Sequence, residues 1–307
     1  MLYLVTGGAG FIGSYLVEYL AELGHEVVAV DDLSVGRREL VPCSDRVTFV
    51  KSKFQDVAAS DFGEVQGIFH LAAQSSVPLS IEQPYSSSEN NLASSLKALE
   101  VARLSRAPLV YASSSAVYGG LSIGSDQTDL VDIVSPYALD KWVMEKYARM
   151  ANRIYDVRSL GMRFFNVYGP RQDPTNPYSG VIPLFISSLL KGNAVTLNGG
   201  HQTRDFIYVK DVVSIMMTGM NSLGDVGFQV VNVGSGTSVS ILKLLRHICD
   251  IVGVEPQIVQ RDLPDGDPTS SAGDYSKLIA SLGIQVGELV GLVDGLRETV
   301  AYMKEHV

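Results

Sequence analysis

Tyr137 and Lys141 stand four residues apart behind Ser135-Pro136. That spacing puts a phenol and an ammonium on one face of a helix. Serine at an N-cap with proline in the first helical position is a strong helix start, so both side chains fall in its first turns. A phenol ordinarily ionises near pKa ~10 and is a poor base at neutral pH. A lysine one turn away, the positive end of the helix dipole and a bound cationic ring would all favour the phenolate. Such a phenolate takes a proton from an alcohol while a hydride leaves the same carbon. An exposed tyrosine beside a solvated lysine has the same spacing, so the pair gains meaning only from a cofactor site elsewhere.

That site is written at residues 6–13, Thr-Gly-Gly-Ala-Gly-Phe-Ile-Gly. It follows the apolar run Leu2-Tyr3-Leu4-Val5 and precedes Ile12, Leu16, Leu20 and Leu23 at helical spacing, which places the glycines on a strand-to-helix turn. Gly8, Gly10 and Gly13 fill a G-x-G-x-x-G pattern, with Gly7 just ahead. Glycine allows the tight turn and close approach of backbone to a pyrophosphate, whose charge the free amides of the helix start then face. A second strand, Glu26-Val27-Val28-Ala29-Val30, ends in Asp31, where an acid bonds the adenosine ribose. Asp31 repels a 2′-phosphate, whereas Arg37 and Arg38 would attract one. Because Asp31 ends the strand, the expected cofactor is NAD.

The elements that must position these groups alternate. Arg46–Val50, Gly67–Leu71, Pro108–Ala112 and Val157–Arg163 read as further strands, with helical spacing between them, as at Leu92, Leu96 and Leu99. Such alternation implies parallel pairing with right-handed crossovers, a doubly wound α/β (Rossmann) sheet covered on both faces. Beyond Asn166 the character changes. Pro170, Pro174, Pro177 and Pro183 punctuate a loop-rich stretch, Phe206–Val209 and Phe228–Val233 read as strands, and Ser238 reads as the cap of a helix carrying Ile241, Leu244, Leu245 and Ile248. Residues 263–271, rich in Pro, Asp, Gly and Ser, read as loop. The expected organisation is an NAD-binding domain over residues 1–165 and a smaller, irregular substrate domain over 166–307, with some segments returning to the first.

Composition sets bounds on partners. The 307 residues carry a net charge of −9, which argues against nucleic acid or an anionic membrane as main partner. No apolar run reaches the ~18–20 residues needed to span a bilayer, and no basic leader precedes the first strand. Cys43 and Cys249 make no disulfide framework, and the five histidines include no i, i+4 metal pair. A soluble cytoplasmic protein without a metal site is expected.

The Tyr137/Lys141 pair and the glycine opening resemble the extended short-chain dehydrogenase/reductase superfamily. The resemblance continues through Asp31-Asp32-Leu33-Ser34, His70-Leu71-Ala72-Ala73, Ser113 to Gly119, Arg163 to Gln172, and Thr203 to Val209. It is closest to the UDP-hexose 4-epimerases, particularly the UDP-N-acetylglucosamine branch, whose pattern Gln172-Asp173-Pro174 and Val181-Ile182-Pro183 resemble. The family implies that Tyr137 removes the 4-hydroxyl proton while hydride passes from C4 to NAD, and that hydride returns to the other face of the 4-keto sugar. It implies NAD contacts from Gly7, Gly10, Phe11, Ile12, Gly13, Asp31, Asp32, Ser34, Leu71, Ala72 and Ala73 together with Tyr137 and Lys141. It implies that Ser114 bonds the 4-oxygen, although by itself this serine run is unremarkable.

For the UDP-sugar the resemblance implies Ser76, Asn166, Val181 and Arg204, with Asp267 at the uridine ribose and Ser271 in the wall of the sugar pocket. Serine rather than the bulky tyrosine found there in epimerases restricted to plain hexoses leaves room for an N-acetyl group. Arginine suits a diphosphate through its bidentate fork, though an ion pair with a neighbour such as Asp205 is the plainer reading of Arg204. Two positions depart from the family: Pro264 stands where a diphosphate arginine is common, and Lys53 where an acid bonds adenine. The 4,6-dehydratases carry Asp-Glu, and the UDP-glucuronate decarboxylases a glutamate, where this chain has Ser115-Ala116. Alanine moves no proton, so epimerisation is favoured over elimination. Another NAD-dependent nucleotide-sugar enzyme, or a dinucleotide-sensing regulator, are the alternatives. The superfamily also implies a homodimer through helices near residues 86–104 and 137–151.

Overall fold

Strands that are apolar without alternation must be covered on both faces, and here they assemble into one central sheet. The computed structural model describes residues 1–175, 180–224, 227–264 and 267–306; Pro177, Asp265 and Gly266, read above as loop residues, lie outside these. The chain begins with β1 (Leu2–Thr6), α1 (Phe11–Glu22), β2 (Glu26–Asp31), β3 (Val47–Lys51) and β4 (Gly67–His70). It continues with α2 (Val77–Glu82), α3 (Pro84–Ser105), β5 (Leu109–Ser114), α4 (Pro136–Tyr155) and β6 (Ser159–Phe164). Then come β7 (Asn166–Tyr168), α5 (Val181–Leu190), β8 (Val195–Asn198), β9 (Thr203–Tyr208) and α6 (Val209–Ser222). The remainder is β10 (Phe228–Val233), β11 (Ser238–Ser240), α7 (Ile241–Val252), β12 (Ile258–Arg261), β13 (Ser270–Ser271), α8 (Ser276–Leu282) and α9 (Leu292–His306).

The main sheet has seven strands in the order β10-β6-β5-β4-β1-β2-β3. The pairs β1–β2, β1–β4, β2–β3 and β4–β5 are parallel, so the chain forms the doubly wound α/β sheet that its alternation implies. The order reverses at β1, beside β4, and the crevice at the carboxyl ends of strands at such a switch point is where open α/β sheets bind ligands. Thr6 is there, paired with Val30 on one side and His70 on the other. Leu4, Ile68, Leu109 and Tyr111 of the strands pack with Ala98, Leu99 and Ala102 of α3 and with Met144, Ala148 and Ala151 of α4. That core fixes α4 against the sheet.

Two compact units are present. One comprises Met1–Val117, Ser135–Arg163 and Val212–Val231; the other comprises Tyr118–Val134, Phe164–Asp211 and Asn232–Val307. Within the second, β9 pairs with β11, with β13 and with β7, while β12 pairs with β8. The buried Asp205 carboxylate of β9 organises this unit, accepting from the Ser235 and Gly236 amides at 2.8 and 2.9 Å and from the Tyr275 hydroxyl at 2.6 Å. One expectation needs correction here. Ser238 does not cap α7, because Ser238–Ser240 is drawn into strand pairing with Thr203–Asp205; Ser240 is the cap and accepts from the Lys243 amide.

Candidate active site

The glycine turn is built from β1 outward. Gly7 has a φ of +69°, a conformation that favours glycine, and its amide donates to Val30 O at 2.8 Å. A Cβ at Gly7 would lie 2.8 Å from the Ala72 backbone nitrogen, and one at Gly13 would lie 1.9 Å from the Gly7 carbonyl oxygen. The operative spacing is therefore Gly7-x-x-Gly10-x-x-Gly13, one residue wider than the pattern starting at Gly8. Gly8 has a separate reason: a Cβ there would meet Ala29 Cβ at 2.8 Å. Phe11 and Ile12 open α1, whose N-cap Gly10 supplies no capping side chain.

Asp31 sits beside this turn at the end of β2. Its carboxylate accepts from the Ala9 amide at 3.0 Å and the Leu33 amide at 2.9 Å. Burial pushes the carboxyl above its ordinary range, against the pull of its backbone donors. Asp32 in turn accepts from the Ser34 amide and hydroxyl at 2.9 and 2.6 Å. The other wall of the turn is His70-Leu71-Ala72-Ala73. Thr6 Oγ1 accepts from the Leu71 and Ala72 amides, both at 3.2 Å, and lies 2.8 Å from His70 Nδ1. With both amides donating to it, Thr6 gives its own proton to Nδ1, which assigns the ring proton to Nε2. A Cβ-free cradle, a helix start without a side-chain cap and a strand-end carboxylate fit a dinucleotide.

Thr6 and His70 stand inside the motifs read above without a role of their own; the signal was a polar residue closing each of two apolar strands. Burial, then the Lys141 charge, lowers the His70 pKa to about 3. Between pH 6.5 and 3 the unfolded chain therefore binds the extra proton, so this imidazole's contribution to stability is whole above pH 6.5 and is lost as pH falls toward 3. Urea unfolding from pH 7 to 4 is expected to show a slope shallower by up to about 1.4 kcal/mol per pH unit in His70→Asn. Parallel slopes in the two proteins would refute this.

Ser114, Tyr137 and Lys141 lie in the same unit. Ser135 caps α4, accepting from the Ala138 amide at 3.2 Å, and Pro136 takes the first turn. Tyr137 and Lys141 are both buried, and the Tyr137 amide donates to Ser80 Oγ at 3.2 Å. Lys141 Nζ donates to Ala112 O at 2.8 Å and stands 5.7 Å from the Tyr137 ring centre. Ser114, at the end of β5, accepts from the Ala116 amide through its Oγ at 3.1 Å. Burial pushes the phenol above its usual pKa while Ser114 pulls it down, and burial lowers Lys141 to about 8. Desolvation thus opposes the phenolate, and it is what the lysine, the helix start and a bound cationic ring together have to outweigh.

A second network escapes motif reading. Asn91 Nδ2 donates to Asp140 Oδ2 and to Gln74 O, each at 3.1 Å, and Asn91 Oδ1 accepts from the Gln74 amide at 2.8 Å. It joins α3, the loop after β4 and the residue before Lys141. Ser76 has a local task, capping α2 by accepting from the Leu79 amide at 3.1 Å.

Asn166, Val181, Arg204, Asp267 and Ser271 all belong to the second unit. Arg204 does not pair with Asp205. Its Nη2 donates to Asp267 Oδ1 and its Nη1 to Thr203 O, the latter at 2.9 Å. Ser271 of β13 is in register with Arg204, and Asn166 Nδ2 donates to Asp205 O at 2.9 Å. Four of the five therefore cluster around β9, while Val181 opens α5 behind Gly180. Among the described residues no cluster of metal-ligating side chains occurs, both cysteines are free, and no helix is long and apolar enough to cross a membrane.

Residues 3–234 match the NAD dependent epimerase/dehydratase family. The UDP-glucose 4-epimerase of Mycolicibacterium smegmatis is 37% identical over 317 residues, covering 99% of each chain. The structure of the UDP-N-acetylglucosamine 4-epimerase from Methanobrevibacter ruminantium, in complex with UDP-N-acetylmuramic acid, is similar with a TM-score of 0.93 at 32% identity, covering 99% of this chain and 98% of that one. The UDP-glucose 4-epimerase of Thermus thermophilus in complex with NAD has a TM-score of 0.88 at 34% identity, with both chains fully covered.

Proposed function

Because the chain belongs to the NAD dependent epimerase/dehydratase family, we propose that it inverts C4 of a UDP-sugar, with UDP-GlcNAc/UDP-GalNAc as the principal pair and UDP-Glc/UDP-Gal also accepted. The observation that carries this reading is the buried Tyr137 with the Lys141 ammonium 5.7 Å from its ring centre, and Ala116 where net elimination needs an acid. Bound NAD supplies a reversible hydride acceptor and a positive charge. Tyr137, as phenolate, takes the 4-hydroxyl proton and later returns it; Ser114 donates to the 4-oxygen; Lys141 holds its charge near the phenol. Hydride returned to the opposite face of the 4-keto sugar gives the epimer. One acid–base group serves both directions, so no second proton donor is required.

In this reading Asn166 and Arg204 grip the diphosphate and nearby hydroxyls, and Asp267 the uridine ribose. The Arg204–Asp267 ion pair supports this by holding the two side chains together beside β9. Ser76 and Val181 are assigned to the sugar on resemblance alone. Residues 1–165 are assigned to the cofactor and 166–307 mainly to the substrate, with some segments returning to the first domain. The enzyme is read as cytoplasmic and as a homodimer, the latter supported by exposed Leu104 on α3 and Met150, Ile154 and Tyr155 on α4.

The deciding experiment incubates purified protein with UDP-GlcNAc and UDP-Glc separately and resolves the C4 epimers. Interconversion at unchanged mass is expected; a product lighter by water or carbon dioxide, or no conversion at all, overturns the reading. Ser271→Tyr is expected to lower kcat/KM for UDP-GlcNAc by ~10²-fold while changing that for UDP-Glc by less than ~3-fold. Equal losses on both substrates would remove Ser271 from the sugar pocket.

A further inference from the structure

Glu145 follows Tyr137 and Lys141 at the next i, i+4 step, on the same face of α4, and is buried. Its Oε1 accepts from Ser113 Oγ at 2.5 Å and from Arg163 Nε at 2.8 Å. Its Oε2 accepts from Arg163 Nη2 at 2.6 Å. Arg163, in β6, is equally buried. One carboxylate therefore ties α4 to β6 and to β5, the latter through the residue next to Ser114.

The apolar contacts of Met144 and Ala148 also hold α4 to the sheet, but burial is non-directional and leaves a helix free to shift along its axis. A bidentate charge pair fixes distance and direction together. A slip of one residue along a helix is ~1.5 Å, and a misplacement of ~1 Å costs on the order of 10²-fold in rate. Simple stabilisation would not need these charges, since apolar residues of like volume replace buried pairs with little loss. We propose, building on the epimerase reading above, that Glu145 and Arg163 are positioning residues. Their buried pair, together with the Ser113 hydroxyl bonded to the same carboxylate, sets the register of α4 against β6 and β5, and so places the Tyr137 phenol against the strand end that carries Ser114.

The test compares Ser113→Ala, Ser113→Thr and the double variant Glu145→Met/Arg163→Met, which removes both charges at once and keeps the buried volume. Ser113→Ala leaves the ion pair whole; its Tm and NAD binding are expected to hold while kcat falls ~10-fold with KM changed less than ~2-fold, and Ser113→Thr is expected to restore kcat. The double variant is expected to fold, bind NAD and lose ~10²-fold in kcat. A second readout needs no turnover: titration of the Tyr137 ring by NMR with ring-labelled tyrosine, identified by its absence in Tyr137→Phe. The Ser114 hydroxyl pulls the phenol pKa down, so a shift of the phenol away from it moves the titration upward. Asp140 and Lys141 on α4 and His70 on β4, the ionisable groups around the phenol and its lysine, are unchanged in every variant.

Parental kcat and parental titration in Ser113→Ala or in the double variant overturn the proposal. Should the double variant not fold, the Ser113 pair decides by itself. A parent protein that turns over no UDP-sugar sinks the epimerase reading alone, and the ring titration still judges the register.

Discussion

Tyr137→Phe is expected to give a folded, NAD-binding protein whose kcat on a UDP-sugar is lower by ~10³-fold or more. A positioned acid–base group contributes ~10²–10⁴-fold, and in the proposed epimerisation the one group works in both half-reactions, so its loss falls at the upper end of that range. The substitution removes only an oxygen. The ring that fills the buried site remains, as does the backbone bond from residue 137 to Ser80 Oγ, so packing is kept. What disappears is the hydroxyl whose pKa Ser114 pulls down and which, in the proposed reaction, carries the proton. Isothermal titration with NAD and single-turnover measurement on UDP-GlcNAc separate the two effects. Retained NAD binding with lost hydride exchange is the expected pair; undiminished turnover refutes the role of Tyr137, and loss of NAD binding with turnover reassigns it to structure.

The same residue shows where sequence reading succeeds and where it stops. Ser135-Pro136 announces α4 because capping and the fixed φ of proline act within a few residues, and the cap is found as written. The strand of residues 228–233 is likewise found at its expected limits, since an apolar run is a local signal. Its place at the edge of the main sheet beside β6 is not local, because strand order depends on which distant segments close on one another. Arg204 and Asp267 are 63 residues apart, and their pairing follows from β13 lying along β9, a two-residue strand that no periodicity could signal. Ser238 misleads for the same reason: a serine two residues too early looks like a cap until β11 pairs with β9. The phenol's raised pKa is invisible in Y-x-x-x-K because the motif shows the nearby lysine and hides the desolvation that opposes it. Thr6, Asn91 and Glu145 are polar residues whose partners come from other elements, so each reads as unremarkable until the fold supplies those partners.

The second large effect is expected at Gly13, where alanine should cost NAD binding and stability together. The added carbon would stand 1.9 Å from the Gly7 oxygen, 2.8 Å from the Gly7 carbonyl carbon and 3.0 Å from Gly8 Cα. These are backbone atoms, so no side chain can swing aside, and the turn itself has to open. Gly7 is in no position to yield, because it is held by its bond to Val30 O and backed by the Ala72 amide. Overpacking of this kind costs ~1–3 kcal/mol, occasionally more. Strain of that size, released where the pyrophosphate would sit, weakens NAD by ~5–150-fold. Gly10→Ala, whose new carbon would meet the same oxygen at 3.1 Å, is expected to fall between Gly13→Ala and the parent. Gly224→Ala, with nothing within 4 Å of its added carbon, is the control and should bind NAD as the parent does. Denaturant unfolding and NAD titration on the three variants give the ranking, and a Gly13→Ala protein that binds NAD as tightly as Gly224→Ala would show that the turn does not cradle the cofactor.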